Sequence, residues 1–195
     1  MESKMFANFY LFSGEMVYND PMRRVIFIFI DGAGVGQADA GNPFFRRKPF
    51  GEAAIRAERA LYQDYSNRQL IAQGLELPEY SPAQAAVIIA NAALDYEVIL
   101  YEYFQTDIYA HRRSFANCVD LIRDLDTLIE NLLARLDKKQ DTLILTSDHG
   151  NLEDFHSRGH SRNPVPLLAW GRHGEFLRAK IKSLSDVTPA LLELY

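Results

Sequence analysis

Six consecutive apolar residues, Val25-Ile26-Phe27-Ile28-Phe29-Ile30, constrain the fold most strongly. Every one is β-branched or aromatic. Arg23-Arg24 precedes the run and Asp31-Gly32 follows it. A strand with one face in water alternates apolar and polar positions. A strand with no polar position is covered on both faces, which is the situation inside a parallel sheet flanked by helices.

The rest of the chain supplies such partners. Residues 97–103 and TLILT at 142–146 read as a second and third strand, and residues 166–170 as a short fourth. Residues 31–42 hold four glycines and read as a loop. Residues 50–73 are helical in places, broken at Tyr65-Ser66-Asn67. Ser81 suits an N-cap, with Pro82 at the first helical position and a helix to about Leu94. Apolar spacing at i, i+3, i+4 from about Arg113 to Leu136 predicts the longest helix. Ser185 and Asp186 open a terminal helix with Pro189 in its first turn. Strands alternating with helices define an α/β class with a mainly parallel sheet. The length, 195 residues, suits one domain over 1–195.

Composition narrows the partners. At 48% hydrophobic and 24% charged, the chain is neither disordered nor a coiled coil. Lys plus Arg is 21 and Asp plus Glu is 26, a net charge of −5, which argues against nucleic acid as a partner. The local basic clusters Arg23-Arg24, Arg46-Arg47-Lys48 and Arg112-Arg113 read as solvated or phosphate-facing charge. The single cysteine, Cys118, permits no intrachain disulfide and no thiolate metal cluster, and reads as a small buried hydrophobe. No apolar run reaches the roughly 18–20 residues that span a bilayer. The first twenty residues lack the apolar core of a signal peptide. A cytoplasmic protein with no membrane partner is the expectation.

Open α/β sheets bind ligands beyond the carboxyl ends of their strands. Polar residues collect at those ends here. Asp31 follows the first strand, and Asp107 and His111 follow the second. Asp148 and His149 follow the third, and His160 and Asn163 precede the fourth. With the strands as neighbours, these side chains gather along one sheet edge, where three carboxylates call for a cation. Asp107 and His111 are four apart and share one face of a helical turn, although a surface i,i+4 pair looks the same. Asp31 alone also suits a turn cap, and Asp148 an Asx-turn. His156 competes with His160, and Asn163-Pro164 favours His160 by fixing the loop after it. Imidazole with carboxylate suits zinc, manganese or iron, whereas calcium wants oxygen alone. Six such side chains divide into two sites of three, the clamp used for displacement at phosphorus.

Five segments carry a resemblance: FIDGAGVG at 29–36, TD-x-x-x-H at 106–111, TSDHGN at 146–151, GHSRNPVPLLAWG at 159–171 and SLSDVTPALLELY at 183–195. Together they resemble the alkaline phosphatase superfamily, within it the branch of cofactor-independent phosphoglycerate mutase and phosphopentomutase. The resemblance implies a three-layer α/β/α sandwich and two divalent metal ions, manganese or zinc. By resemblance, Asp107, His111 and His160 hold one ion, and Asp31, Asp148 and His149 the other. It implies a small-molecule phosphate ester as substrate, with Arg162 as the best candidate among the arginines Arg112, Arg113, Arg158 and Arg162 to contact its charge. The reaction expected is metal-dependent hydrolysis or transfer of a phosphoryl group.

The sequence departs from the family in one respect. The family nucleophile is a Ser or Thr after the first strand and its loop, and no Ser or Thr stands between Gly36 and Phe50. The catalytic nucleophile is therefore not found, and a segment near residues 44–50 reads as missing. Ser66 and Ser81 are the next hydroxyls, and they read better as a turn residue and a helix cap. Two other readings remain: a relative that binds metal or a phosphorylated ligand without turnover, and an unrelated α/β binding module whose Asp and His residues never converge.

Overall fold

The apolar run becomes the middle strand of a five-stranded sheet. The computed structural model describes residues 9–12, 24–30, 51–112, 114–156 and 159–195. Strand β1 is Phe9–Phe12, β2 Arg24–Ile30, β3 Val98–Tyr103, β4 Asp141–Ser147 and β5 Leu167–Gly171. Their spatial order is β1-β3-β2-β4-β5. β2 pairs parallel with β3 on one side and with β4 on the other. The expected parallel centre is present.

Both edges run the other way. β1, which the sequence reading did not find, pairs antiparallel with β3. β5 pairs antiparallel with β4, with Thr146 opposite Leu167. A parallel fourth strand would need a crossover, usually a helix. The chain between β4 and β5 forms no helix among its described residues, so it simply turns back.

Side-chain alternation divides the core. Ile26 and Ile28 join Ile99, Tyr101, Tyr103 and Leu143 on one face, beneath α3 (Pro82–Asp95) and α5 (Phe115–Leu133). Val25 and Ile144 lie on the other face, beneath α6 (Gly174–Lys180) and α7 (Val187–Leu192). The result is the three-layer α/β/α arrangement. No helix among the described residues is long and apolar enough to cross a membrane.

The helices form for legible reasons. Ser81 Oγ accepts the Gln84 N–H, and Gln84 Oε1 accepts the Ser81 N–H, closing a capping box ahead of Pro82. α5 buries Cys118, Leu121, Leu125, Leu128 and Leu132, alternately three and four apart, as a single stripe. It starts two residues later and ends three earlier than the spacing suggested. The preceding helix, α4 (Gln105–Arg112), is separate. Two short helices, α1 (Glu52–Arg56) and α2 (Arg68–Ala72), flank the broken segment. The terminal helix begins as a 3-10 turn at Leu184–Asp186. α6 was not anticipated from the sequence: only Gly174 and Leu177 of it are buried, too few for a periodic signal.

Candidate metal centre

The second parallel strand hands its chain directly to α4. Asp107 lies in the first turn of that helix and His111 in its last. This order suits the helix dipole, which favours negative charge at the start and positive charge at the end. The start of α4 is anchored by three glutamine amides in a closed ring. Gln105 Nε2 donates to Gln63 Oε1 at 2.7 Å, Gln63 Nε2 to Gln69 Oε1 at 2.9 Å, and Gln69 Nε2 to Gln105 Oε1 at 3.0 Å. Gln63 and Gln105 are buried. The ring ties the 63–69 segment to the element that carries Asp107 and His111.

His160 arrives from a different direction. Because β5 is antiparallel, its entrance adjoins the exit of β4, and the loop leading into β5 passes over the carboxyl edge of the sheet. There the Ser161 N–H donates to the Gly150 carbonyl at 2.7 Å, and the two residues form an isolated antiparallel bridge.

Three donor atoms meet as a result. Asp107 Oδ1 is 3.2 Å from His111 Nε2 and 3.5 Å from His160 Nε2, and the two imidazole nitrogens are 3.3 Å apart. Among the described residues, Asp107, His111 and His160 are the set of His, Cys, Asp or Glu whose donor atoms converge closely enough to hold one ion. The fit can be tested by arithmetic. Ligand bonds of about 2.0–2.1 Å give a tetrahedral edge of about 3.3–3.4 Å. The triangle matches three corners of such a tetrahedron and leaves the fourth open. Asp107 is largely shielded, whereas His111 and His160 are about half exposed. His156 stands elsewhere in the loop, its backbone N–H donating to Asp154 Oδ1 at 2.8 Å.

Asp148 and His149 adjoin this triangle. The His149 ring stacks on His160, centroids 3.6 Å apart. His149 Nε2 is 3.8 Å from Asp148 Oδ1. Asp148 Oδ1 is buried, and no hydrogen bond reaches it among the described residues. A buried carboxylate oxygen without a donor is costly unless a cation satisfies it. Asp31, the third member of the second expected set, lies outside the described residues, as do Arg113 and Arg158. Ile30, the last residue of β2, is paired with Ser147, directly before Asp148. Arg162 is exposed in the loop that carries His160. Arg112 lies over the Tyr109 ring at 5.5 Å.

Sequence reasoning missed three contributors. Asn151 Nδ2 donates to Asp107 Oδ1 at 2.6 Å, a contact across 44 positions that only the assembled sheet creates. Glu102, on β3, is buried, and burial together with the negative charge of Asp148 pushes its carboxyl up to about 7. Glu153 accepts hydrogen bonds from both ends of the β4–β5 connection. Burial raises its carboxyl, but those bonds, led by the one from Ser161, outweigh it and hold the group below the usual range. Its place three residues after Gly150 in the DHGN segment was the signal available.

The hydroxyls nearest these residues are engaged elsewhere. Thr106 Oγ1 donates to the Tyr103 carbonyl, Ser147 Oγ to the His149 carbonyl and Ser161 Oγ to Glu153. Ser66 is buried and donates to Asp64 Oδ1 at 2.5 Å, and Ser81 caps α3.

Fold and site together define a metalloenzyme-type domain. Residues 73–195 match the family model of the metalloenzyme superfamily, and the chain belongs to that superfamily. Its relatives include the 2,3-bisphosphoglycerate-independent phosphoglycerate mutase of Legionella pneumophila (strain Corby), 32% identical over 126 residues, which are 60% of this chain and 24% of that protein. The enzyme of the same name from Rhodopseudomonas palustris is 31% identical over 127 residues, 62% of this chain and 24% of the relative. A third, 2,3-bisphosphoglycerate-independent phosphoglycerate mutase 2 of Methanosarcina acetivorans, is 29% identical over 106 residues, 51% of this chain and 20% of the relative. The chain spans about a quarter of the length of the curated relatives it matches. No solved structure is a significant match.

Proposed function

We propose that this chain forms the metal-holding part of a metal-dependent enzyme that hydrolyses or transfers a phosphoryl group of a small phosphate ester. The observation that carries this reading is the Asp107–His111–His160 triangle, with edges of 3.2, 3.3 and 3.5 Å. In this reading those three residues hold one divalent ion, manganese or zinc. Asp148 and His149, with Asp31, hold a second. Membership of the superfamily and the phosphoglycerate mutase relatives support the same chemistry. When bound, such ions supply positive charge that stabilises the oxygens of the transferred group.

The chain's own residues do the remaining work. Asn151 pins Asp107 Oδ1, which fixes the rotation of that carboxylate. His149 supports the His160 ring from one face. Arg162, exposed two residues after His160, is the arginine assigned in this reading to the phosphate oxygens. Thr106, Ser147, Ser161, Ser66 and Ser81 are all hydrogen-bonded within the chain, and this reading assigns the attack to water or to a hydroxyl from outside the described residues. That engagement also favours a second reading, a domain that binds metal or a phosphorylated ligand without turnover.

Metal analysis of the purified chain, with and without Asp107→Ala and Asp148→Ala, tests the centre. Loss of one ion in each variant is expected, and unchanged metal content in both would sink the assignment. Assay of aryl phosphate monoesters and diesters with manganese and with zinc then separates the readings. Turnover abolished by Asp107→Ala supports the enzyme; metal binding with no turnover supports the binder.

A further inference from the structure

One carboxylate joins the two ends of the β4–β5 connection, which carry His149 and His160. Glu153 Oε2 accepts the Asn151 N–H at 2.8 Å. Glu153 Oε1 accepts from Asn163 Nδ2 at 2.9 Å and from Ser161 Oγ. Asn151 belongs to the exit of β4, whereas Ser161 and Asn163 belong to the entrance of β5. Each side of this clasp leads to the triangle. The Asn151 side chain donates to Asp107 Oδ1 at 2.6 Å. Ser161 directly follows His160, and its backbone N–H is already bonded to Gly150. The clasp is packed to contact: a Cβ on Gly150 would collide with Ser161 Oγ and Glu153 Oε1.

The donor set explains why the residue is a glutamate. An ionised carboxylate only accepts, on two oxygens, and meets three donors here. A glutamine has one acceptor oxygen. Its amide N–H groups would face either the Asn151 N–H or the Ser161 and Asn163 donors. Groups bonded directly to metal ligands, as Asn151 is to Asp107, commonly change metal affinity by about 10–100-fold when removed, and Glu153 acts one bond further out, so its effect belongs at the low end.

We propose that Glu153 is a positioning residue: by clasping Asn151 to Ser161 and Asn163 it sets the spacing of Asp107 and His160, and so the affinity of the triangle for a divalent cation. This rests on reading the triangle as a metal centre. Cobalt(II), whose visible absorption reports ligand geometry, is the probe. The full chain is stripped of metal and titrated as wild type, Asp107→Ala, Glu153→Gln and Ser161→Ala, with thermal unfolding in chelator as the control for folding. Glu153→Gln is expected to weaken cobalt binding about tenfold and alter the band, with the metal-free melting temperature nearly unchanged. Ser161→Ala, which removes a single donor, should lose about threefold and carries the test if Glu153→Gln does not fold. Wild-type affinity and band shape in the folded variants overturn the role of Glu153 and leave the metal centre standing. Wild-type protein that binds no cobalt in a manner abolished by Asp107→Ala overturns the centre itself, and the inference with it.

Discussion

The imidazole of His160 lies nearly flat on that of His149, ring centroids 3.6 Å apart and planes 13° from parallel. One ring leaves β4 and the other enters β5, so the stack is a direct consequence of the antiparallel edge. It covers one face of the His160 ring while His111 and Asp107 meet its Nε2.

Removing the stacked face should therefore loosen His160. His149→Ala is expected to weaken cation binding at the triangle by up to about tenfold, the range of an aromatic pair. His149→Phe, which like His149→Ala lacks the nitrogen assigned to the second ion, keeps a ring face and should bind at the triangle more tightly than His149→Ala. Calorimetric titration with zinc on the chelator-stripped protein reads the difference. Equal affinity in the two variants would show that the stack plays no part.

Stability of the metal-free protein should fall as pH rises from 5 to 8. Burial and the Asp148 charge lift the Glu102 carboxyl from 4.5 to about 7. Within that window the folded chain keeps a proton that the unfolded chain has lost, so unfolding gains ground as pH increases. The contribution is fully absent below the unfolded value and amounts to at most about 3 kcal/mol above the folded one. Urea denaturation in chelator at both pH values measures it. Glu102→Gln should flatten the dependence; a variant that keeps the full slope points to another group.

The glutamine ring should cost more to open than its position suggests. Gln105→Ala leaves the buried Gln63 amide and its neighbour Gln69 each short of a partner. A loss of about 1–3 kcal/mol is expected. Denaturant midpoints check the stability, and hydrogen exchange at the start of α4 checks the location. Protection lost there, and kept in α3, is the expected pattern.

Gly171 closes β5 with a φ of +90°, and a Cβ there would run into the Asp141 carbonyl. Gly171→Ala combines backbone strain with a collision against main chain. The expected cost is about 2 kcal/mol or more. A melting temperature within a degree or two of wild type would contradict this account.

Much of this architecture was legible in local signals. The unbroken run at Val25–Ile30 requires cover on two faces, and both covers are present. Ser81-Pro82 with Gln84 announces a capped helix, and the leucine spacing of α5 announces its buried stripe. Asp107 and His111 share a helical face through their separation alone. β1 has only four residues, and α6 buries only Gly174 and Leu177, too little in either to leave a pattern.

By itself, the sequence determined the layers, the central parallel strands and the residue types available at their carboxyl ends. Those follow from periodicity and capping, which act over a few residues. Only the tertiary structure decided which of these residues meet. The direction of β5 brings His160 to Asp107 and His111, and the sheet brings Asn151 to Asp107 and Glu102 near Asp148. Contacts between atoms tens of positions apart are set by register and strand direction, and neither leaves a local trace in the chain.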